Sequence, residues 1–273
     1  MRNLIVIGIT TAVFSAVAVA QPPAAIPRGA DGKPDFTGVW QAGSNRKGTW
    51  EEANAGGAFG APGGFPPGEG QGAQKAPARA PARQVAPYQP WAAKKVLESF
   101  NRRGIDDPVA QCLLPGVPRV TTVGLFPMQI VQTPKTIVMI YEYLNAFRII
   151  AINARHPDDL EPTFMGDSVG HWEGDTLVVD VTAFNDKTWL VSTGTFHSDK
   201  LHVTERYRRV DADTIQYEAT MDDPSVLTMP WVYRNTIMKR DGTRLREYEC
   251  EENNVDRERY KDLLKDESVF RRK

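Results

Sequence analysis

The chain has little of what usually betrays a function: two cysteines and four histidines among 273 residues. No two of the histidines stand at the His-x-x-x-His spacing of a helical zinc site, and two cysteines cannot build a cysteine cluster, so neither a metal nor any other cofactor is indicated. Positive charge is not in excess either. With 33 Lys and Arg against 34 Asp and Glu the chain lacks the electrostatic footprint that nucleic acid demands, which argues against such a partner. Past the first 20 residues there is no apolar run long enough to span a bilayer as a helix. Helical periodicity is nearly missing from residues 120–254, which argues against alternating βαβ units.

What is present begins with an export pattern. Met1-Arg2-Asn3 is a basic start, Leu4 to Val17 is largely apolar, and Ala18-Val19-Ala20 before Gln21 fits small-x-small cleavage, so residues 1–20 read as a signal peptide. The expected location is periplasmic or secreted, with no membrane span after cleavage. No cysteine stands at the cleavage site, so a lipoprotein is not indicated. An oxidising compartment favours pairing Cys112 with Cys250, which would tie the loop ahead of the strands to the last strand.

Composition divides the mature chain. Residues 21–50 form an N-terminal segment with a first strand around Gly38-Val39-Trp40, and 51–89 is a Gly/Pro/Ala-rich excursion too poor in branched apolar residues to offset its ordering entropy. Residues 90–119 read as a helix, Pro90 to Arg103, with Trp91, Val96, Leu97 and Phe100 near one face, followed by a proline-punctuated loop. Residues 120–254 then carry β-rich runs: Thr121 to Val131, Thr136 to Tyr143, Phe147 to Asn153, Val169 to Trp172, Thr176 to Thr182, Leu201 to Val210, Thr214 to Asp222, Trp231 to Lys239 and Arg244 to Glu252. Glu173-Gly174-Asp175 and Asp211-Ala212-Asp213 are turn signals between them. Residues 255–273 read as a terminal helix with Tyr260, Leu263 and Leu264 as its apolar stripe. The expected fold is mainly β, an antiparallel meander closing into a barrel, with one helix before it and one after; a sandwich is the alternative.

The chemistry concentrates between His156 and Asn185. Gly166-Asp167-Ser168-Val169-Gly170 matches the Gly-x-Ser-x-Gly of a nucleophile elbow, but the elbow needs a strand before the serine and a helix after it, and here a loop precedes and a hairpin follows. His156, His171 and His197 each stand beside carboxylates, which can orient an imidazole for proton transfer. His202, on a strand of alternating pattern, reads as an exposed surface histidine. Period two places Glu205 on the face of Leu201, Val203 and Tyr207, groups Tyr217 with Ile215, and groups Trp231, Tyr233 and Asn235 with Ile237. If these faces point inward, the interior is aromatic-walled. It is either a solid core in which Glu205 is neutralised by Arg148 or an arginine of the last strand, or a cavity for a small molecule.

Through Asp31 to Trp40, Asp107 to Arg119, Met165 to Asp180 and Glu247 to Asn254 the chain resembles a group of secreted bacterial proteins. The resemblance brings no catalytic residue with it. Gly38-Val39-Trp40 and the meander are also similar to lipocalin-type barrels. The first expectation is thus an exported, lipocalin-like barrel binding a small hydrophobic or aromatic ligand, with His156, Arg148, Tyr207, Tyr217, Trp231, Tyr233 and Asn235 about the pocket. The second is a cofactor-independent acid/base enzyme in the same pocket, in which His171 or His197 moves the proton and Glu205 or Asp167 orients it. A third is an envelope-associated structural protein with the Gly/Pro excursion as its adhesive part.

Overall fold

Alternation of apolar and polar residues sets the architecture, because a residue pointing into a closed sheet must be followed by one pointing out. The computed structural model describes residues 25–42, 86–102, 105–123, 126–191, 194–239, 242–252 and 254–265. Residues 1–20, expected to be a signal peptide, and nearly all of the expected excursion at 51–89 lie outside them. Nine strands form one closed barrel in chain order. They are β1 (Gly38–Ala42), β2 (Met128–Gln132), β3 (Thr136–Tyr141), β4 (Phe147–Ile152), β5 (Asp167–Glu173), β6 (Thr176–Thr182), β7 (His202–Arg209), β8 (Thr214–Asp222) and β9 (Trp231–Lys239). Closure comes from β1 against β9, with Trp40 opposite Lys239. Inside, Trp40, Ile130, Met139, Ile150, Leu177, Tyr207 and Tyr217 are buried in one continuous core.

Several expectations need correction. The meander is not wholly antiparallel: β4 and β5 pair parallel, so residues 153–166 must carry the chain back along the barrel. The run from Thr121 to Val131 is not one strand. Its start lies in a short buried helix, Arg119–Thr122, held by amides of Val120 and Thr121 donating to the Gly116 and Pro118 carbonyls. Arg244 to Glu252 makes no strand either, because β1 already occupies the edge that a further strand would need. It runs instead as a strap. The first strand of residues 21–50 is a full stave, so the barrel extends beyond 120–254.

With helices α1 (Pro90–Asn101), α2 (Arg119–Thr122) and α3 (Val255–Lys265) added, the two ends of the barrel differ in kind. One end carries the tight turns joining β2 to β3, β5 to β6 and β7 to β8, and the return segment 153–166 leaves from it. The other gathers the connections that contain α1 and α2 and the stretches 183–201 and 223–230. On α1 Ala92 is buried and Val96, one of the residues grouped on one face from the sequence, is half-buried against the core, whereas Trp91 and Leu97 of that group are exposed. The strap is fixed at the long-loop end. Asn145 Nδ2 donates to the Tyr248 carbonyl at 2.7 Å, and Cys250 is disulfide-bonded to Cys112, on the loop ahead of α2.

Gly166 is where the returning segment joins β5. Its φ is +66°, and a Cβ there would stand 2.6 Å from the Thr182 carbonyl oxygen. Gly166→Ala is expected to destabilise the protein by more than about 2 kcal/mol, since the left-handed conformation alone costs about 1–2 kcal/mol and a backbone clash adds to it. Chemical denaturation measures this, and a loss below about 0.5 kcal/mol would contradict it. Gly170 is similarly confined, with Ile150 Cγ2 2.8 Å from a Cβ built on it. Packing therefore accounts for both glycines of the Gly-x-Ser-x-Gly match, and Ser168 sits within a strand.

Candidate binding site

The inward face of β7 carries a carboxylate, and the structure supplies its partners. Glu205 is fully buried; its Oε2 accepts from Arg148 Nη2 at 2.5 Å, and its Oε1 accepts from the hydroxyls of Tyr207 at 2.9 Å and Tyr217 at 2.7 Å. Arg148 Nη2 also donates to Ser168 Oγ at 3.0 Å. Burial, with Glu205 adding to it, raises the pKa of both tyrosines well above the ordinary range, so their hydroxyls remain donors. Burial works against the Arg148 charge, but Glu205 and the neighbouring tyrosines outweigh it and hold the guanidinium well above its ordinary value. The carboxylate expected inside is thus paired with Arg148, the first of the two partners considered. Arg148 remains incompletely used: Nε and Nη1 are buried with no hydrogen-bond partner among the described residues. Of the five N–H groups of a guanidinium, that leaves three unmade.

Next to this residue the barrel wall splits. β4 and β5 pair only from Ile150 and Ser168 onward, and Gly166, turned into its positive φ, keeps the start of β5 away from Phe147 and Arg148. The gap is a cleft of about 300 Å³ lined by Leu114, Asn145 to Ile149 and Met165 to Ser168. Phe147 and Ile149 flank its outer side at 63% and 58% exposure, an unusual degree for large apolar residues on one strand. Its lining falls partly within the His156 to His171 stretch. Leu114 and Met165 gave no signal in the sequence, because only the fold brings the proline-rich loop against the start of β5.

The remaining candidates are dispersed. His156 does not use Asp158, Asp159 or Glu161; its Nδ1 lies 2.5 Å from Asp167 Oδ2 and its Nε2 3.3 Å from Asp180 Oδ2. His202 is exposed as expected, yet it bonds the other oxygen of Asp180, so Asp180 bridges two imidazoles on the outer wall. His171 is exposed on β5, 3.3 Å from Glu173. Trp231 packs edge-on against Tyr233 at 6.4 Å, and Asn235 lies opposite Tyr217 on the neighbouring strand. No described group of three or more His, Cys, Asp or Glu has the geometry to hold a metal ion.

His197 is buried away from Asp199. A carbonyl only accepts, so Nδ1–H donates to the Ser198 carbonyl at 2.8 Å and Nε2 accepts from the Thr188 hydroxyl at 2.6 Å. Burial lowers its pKa below 6.5. The unfolded chain then binds the proton more readily than the folded one, so this contribution to stability is complete above about pH 6.5 and lost as pH falls below it. His197→Asn, which keeps a donor at the Nδ1 position, should flatten the decline in stability below that pH. An unchanged slope would place the acid sensitivity elsewhere.

No family model, curated protein or solved structure matches the chain. Function therefore rests on the geometry of this site. Among the described residues no helix is long and apolar enough to cross a membrane.

Proposed function

We propose that the chain is an exported β-barrel protein that binds a small, mainly apolar acid in the cleft between β4 and β5. The observation that carries this reading is Arg148: a buried cation beside an apolar cleft, with three N–H groups lacking partners among the described residues. Leaving such donors unmade in a low-dielectric interior is costly, and a ligand carboxylate would satisfy them in a charge-assisted pair. Leu114, Phe147, Ile149 and Met165 would cover its apolar part. The cleft stands at the small end of the range of about 300–1,000 Å³ that small-molecule sites span. Because the guanidinium is itself covered, a ligand would reach it only after a lining side chain moves aside. The signal-peptide pattern and the Cys112–Cys250 disulfide support export.

Thermal denaturation with octanoate and benzoate, set against octanamide and benzamide, tests the reading. The acids should raise the midpoint with concentration and the amides should not. The shift should vanish in the double variant Arg148→Met/Glu205→Gln, which removes the guanidinium without stranding a carboxylate. Equal shifts with the amides, or a full shift in the double variant, would refute it. The acid/base-enzyme alternative draws no support from contacts, since His171 bonds Glu173 and His197 bonds Thr188, and neither touches Glu205 or Asp167.

A further inference from the structure

A second recess, sharing no residue with the cleft, lies at the long-loop end between α1 and the stretches after β6 and β8, with a volume of about 410 Å³. Its outer wall is Trp91, 53% exposed, whose ring is oriented by Nε1–H donating to Gln89 Oε1 at 3.1 Å. An indole held in position with its surface in water can stack on a ligand. Around it are charged groups of both signs. Lys95 places its ammonium 4.0 Å from the Phe196 ring centroid, Lys187 and Asp186 make no side-chain hydrogen bond or ion pair among the described residues, and Asp106 accepts from Ser99 through Oδ2 at 2.9 Å while its Oδ1 is buried and unpartnered.

These features select a class of ligand. A wholly apolar molecule would strand the lysines and aspartates. A simple anion would meet Asp106, Asp186 and Asp199, and a simple cation would meet Lys95 and Lys187. A neutral ring with many hydroxyls can donate to the carboxylates, accept from the ammonium groups and lay a C–H face on the indole. We propose that this groove binds a neutral saccharide. Its hydroxyls would reach Asp186, Lys187 and the free oxygen of Asp106, and a sugar face would stack on Trp91.

Titration calorimetry of the full chain with glucose, maltose and cellobiose, with glucuronate, and with glycine and phenylalanine as zwitterionic competitors tests the assignment. At least one neutral sugar should bind with a Kd of about 1 mM or tighter. Trp91→Ala should weaken it at least about tenfold, as loss of an aromatic platform predicts, and Asp186→Asn should weaken it as well. Both variants should keep a urea midpoint near the parental one, because Trp91 is half exposed, its ring meeting Phe196 at the rim with centroids 6.0 Å apart, and Asp186 makes no ion pair among the described residues. The double variant at Arg148 and Glu205 should bind the sugar as the parent does, which separates this site from the cleft. Binding of the amino acids without any neutral sugar, no binding across the panel, or full affinity in Trp91→Ala would overturn the proposal.

Discussion

Replacing Arg148 alone with methionine should lower the unfolding free energy by about 3–5 kcal/mol, the usual result of stranding one member of a buried ion pair. The stranded group is Glu205, fully buried, with only the Tyr207 and Tyr217 hydroxyls left to it. Adding Glu205→Gln should recover most of the loss, because the amide oxygen still accepts from both tyrosines and no charge remains to desolvate. Urea denaturation of parent, single and double variants measures the cycle. A single-variant loss below about 1 kcal/mol, or a double variant no better than the single, would mean that water or another group already serves Glu205.

Removing the disulfide should be at least as damaging. Cys112 and Cys250 are separated by 138 residues, and closing so long a loop is worth about 5 kcal/mol in the chain-entropy model. The bond also ties down the strap, whose Tyr248 ring lies 5.8 Å from that of Tyr143. Cys112→Ala/Cys250→Ala should therefore denature at much lower urea, and thiol titration of the unfolded, unreduced parent should find no free sulfhydryl. Parental stability in the double alanine variant would show that the strap is held by its other contacts.

Much of the barrel was legible because period two is a strong constraint when one face is solvent and the other is core. The inward sets on β7, β8 and β9, Glu205 among them, follow from it directly. Direction is different. Alternation looks the same in a parallel and an antiparallel strand, so nothing in Phe147 to Ile152 or Asp167 to Glu173 announced the parallel pairing of β4 with β5. The segment Val120-Thr121-Thr122 reads as strand by its β-branched residues, but tertiary burial set it as a helical turn. The candidate sites were least legible where they depend on register across several strands. Asp180 meets both His156 and His202 only because β6 lies beside β7 while the segment returning from β4 crosses the outside.

The pairing of β1 with β9 also governs the order in which the barrel can be assembled. From β2 to β9 each strand lies beside its predecessor in the chain, so most of the sheet can grow from local encounters, the parallel step at β5 being the slowest of them. Trp40 meets Lys239 only after nearly the whole chain is present. Until then β1 and β9 are open edges, with Trp40, Ala42, Trp231 and Ile237 uncovered, able to recruit a strand from another molecule. The seam between the first stave and the ninth is thus the last to be set, and the partly built sheet is the form most in need of a chaperone.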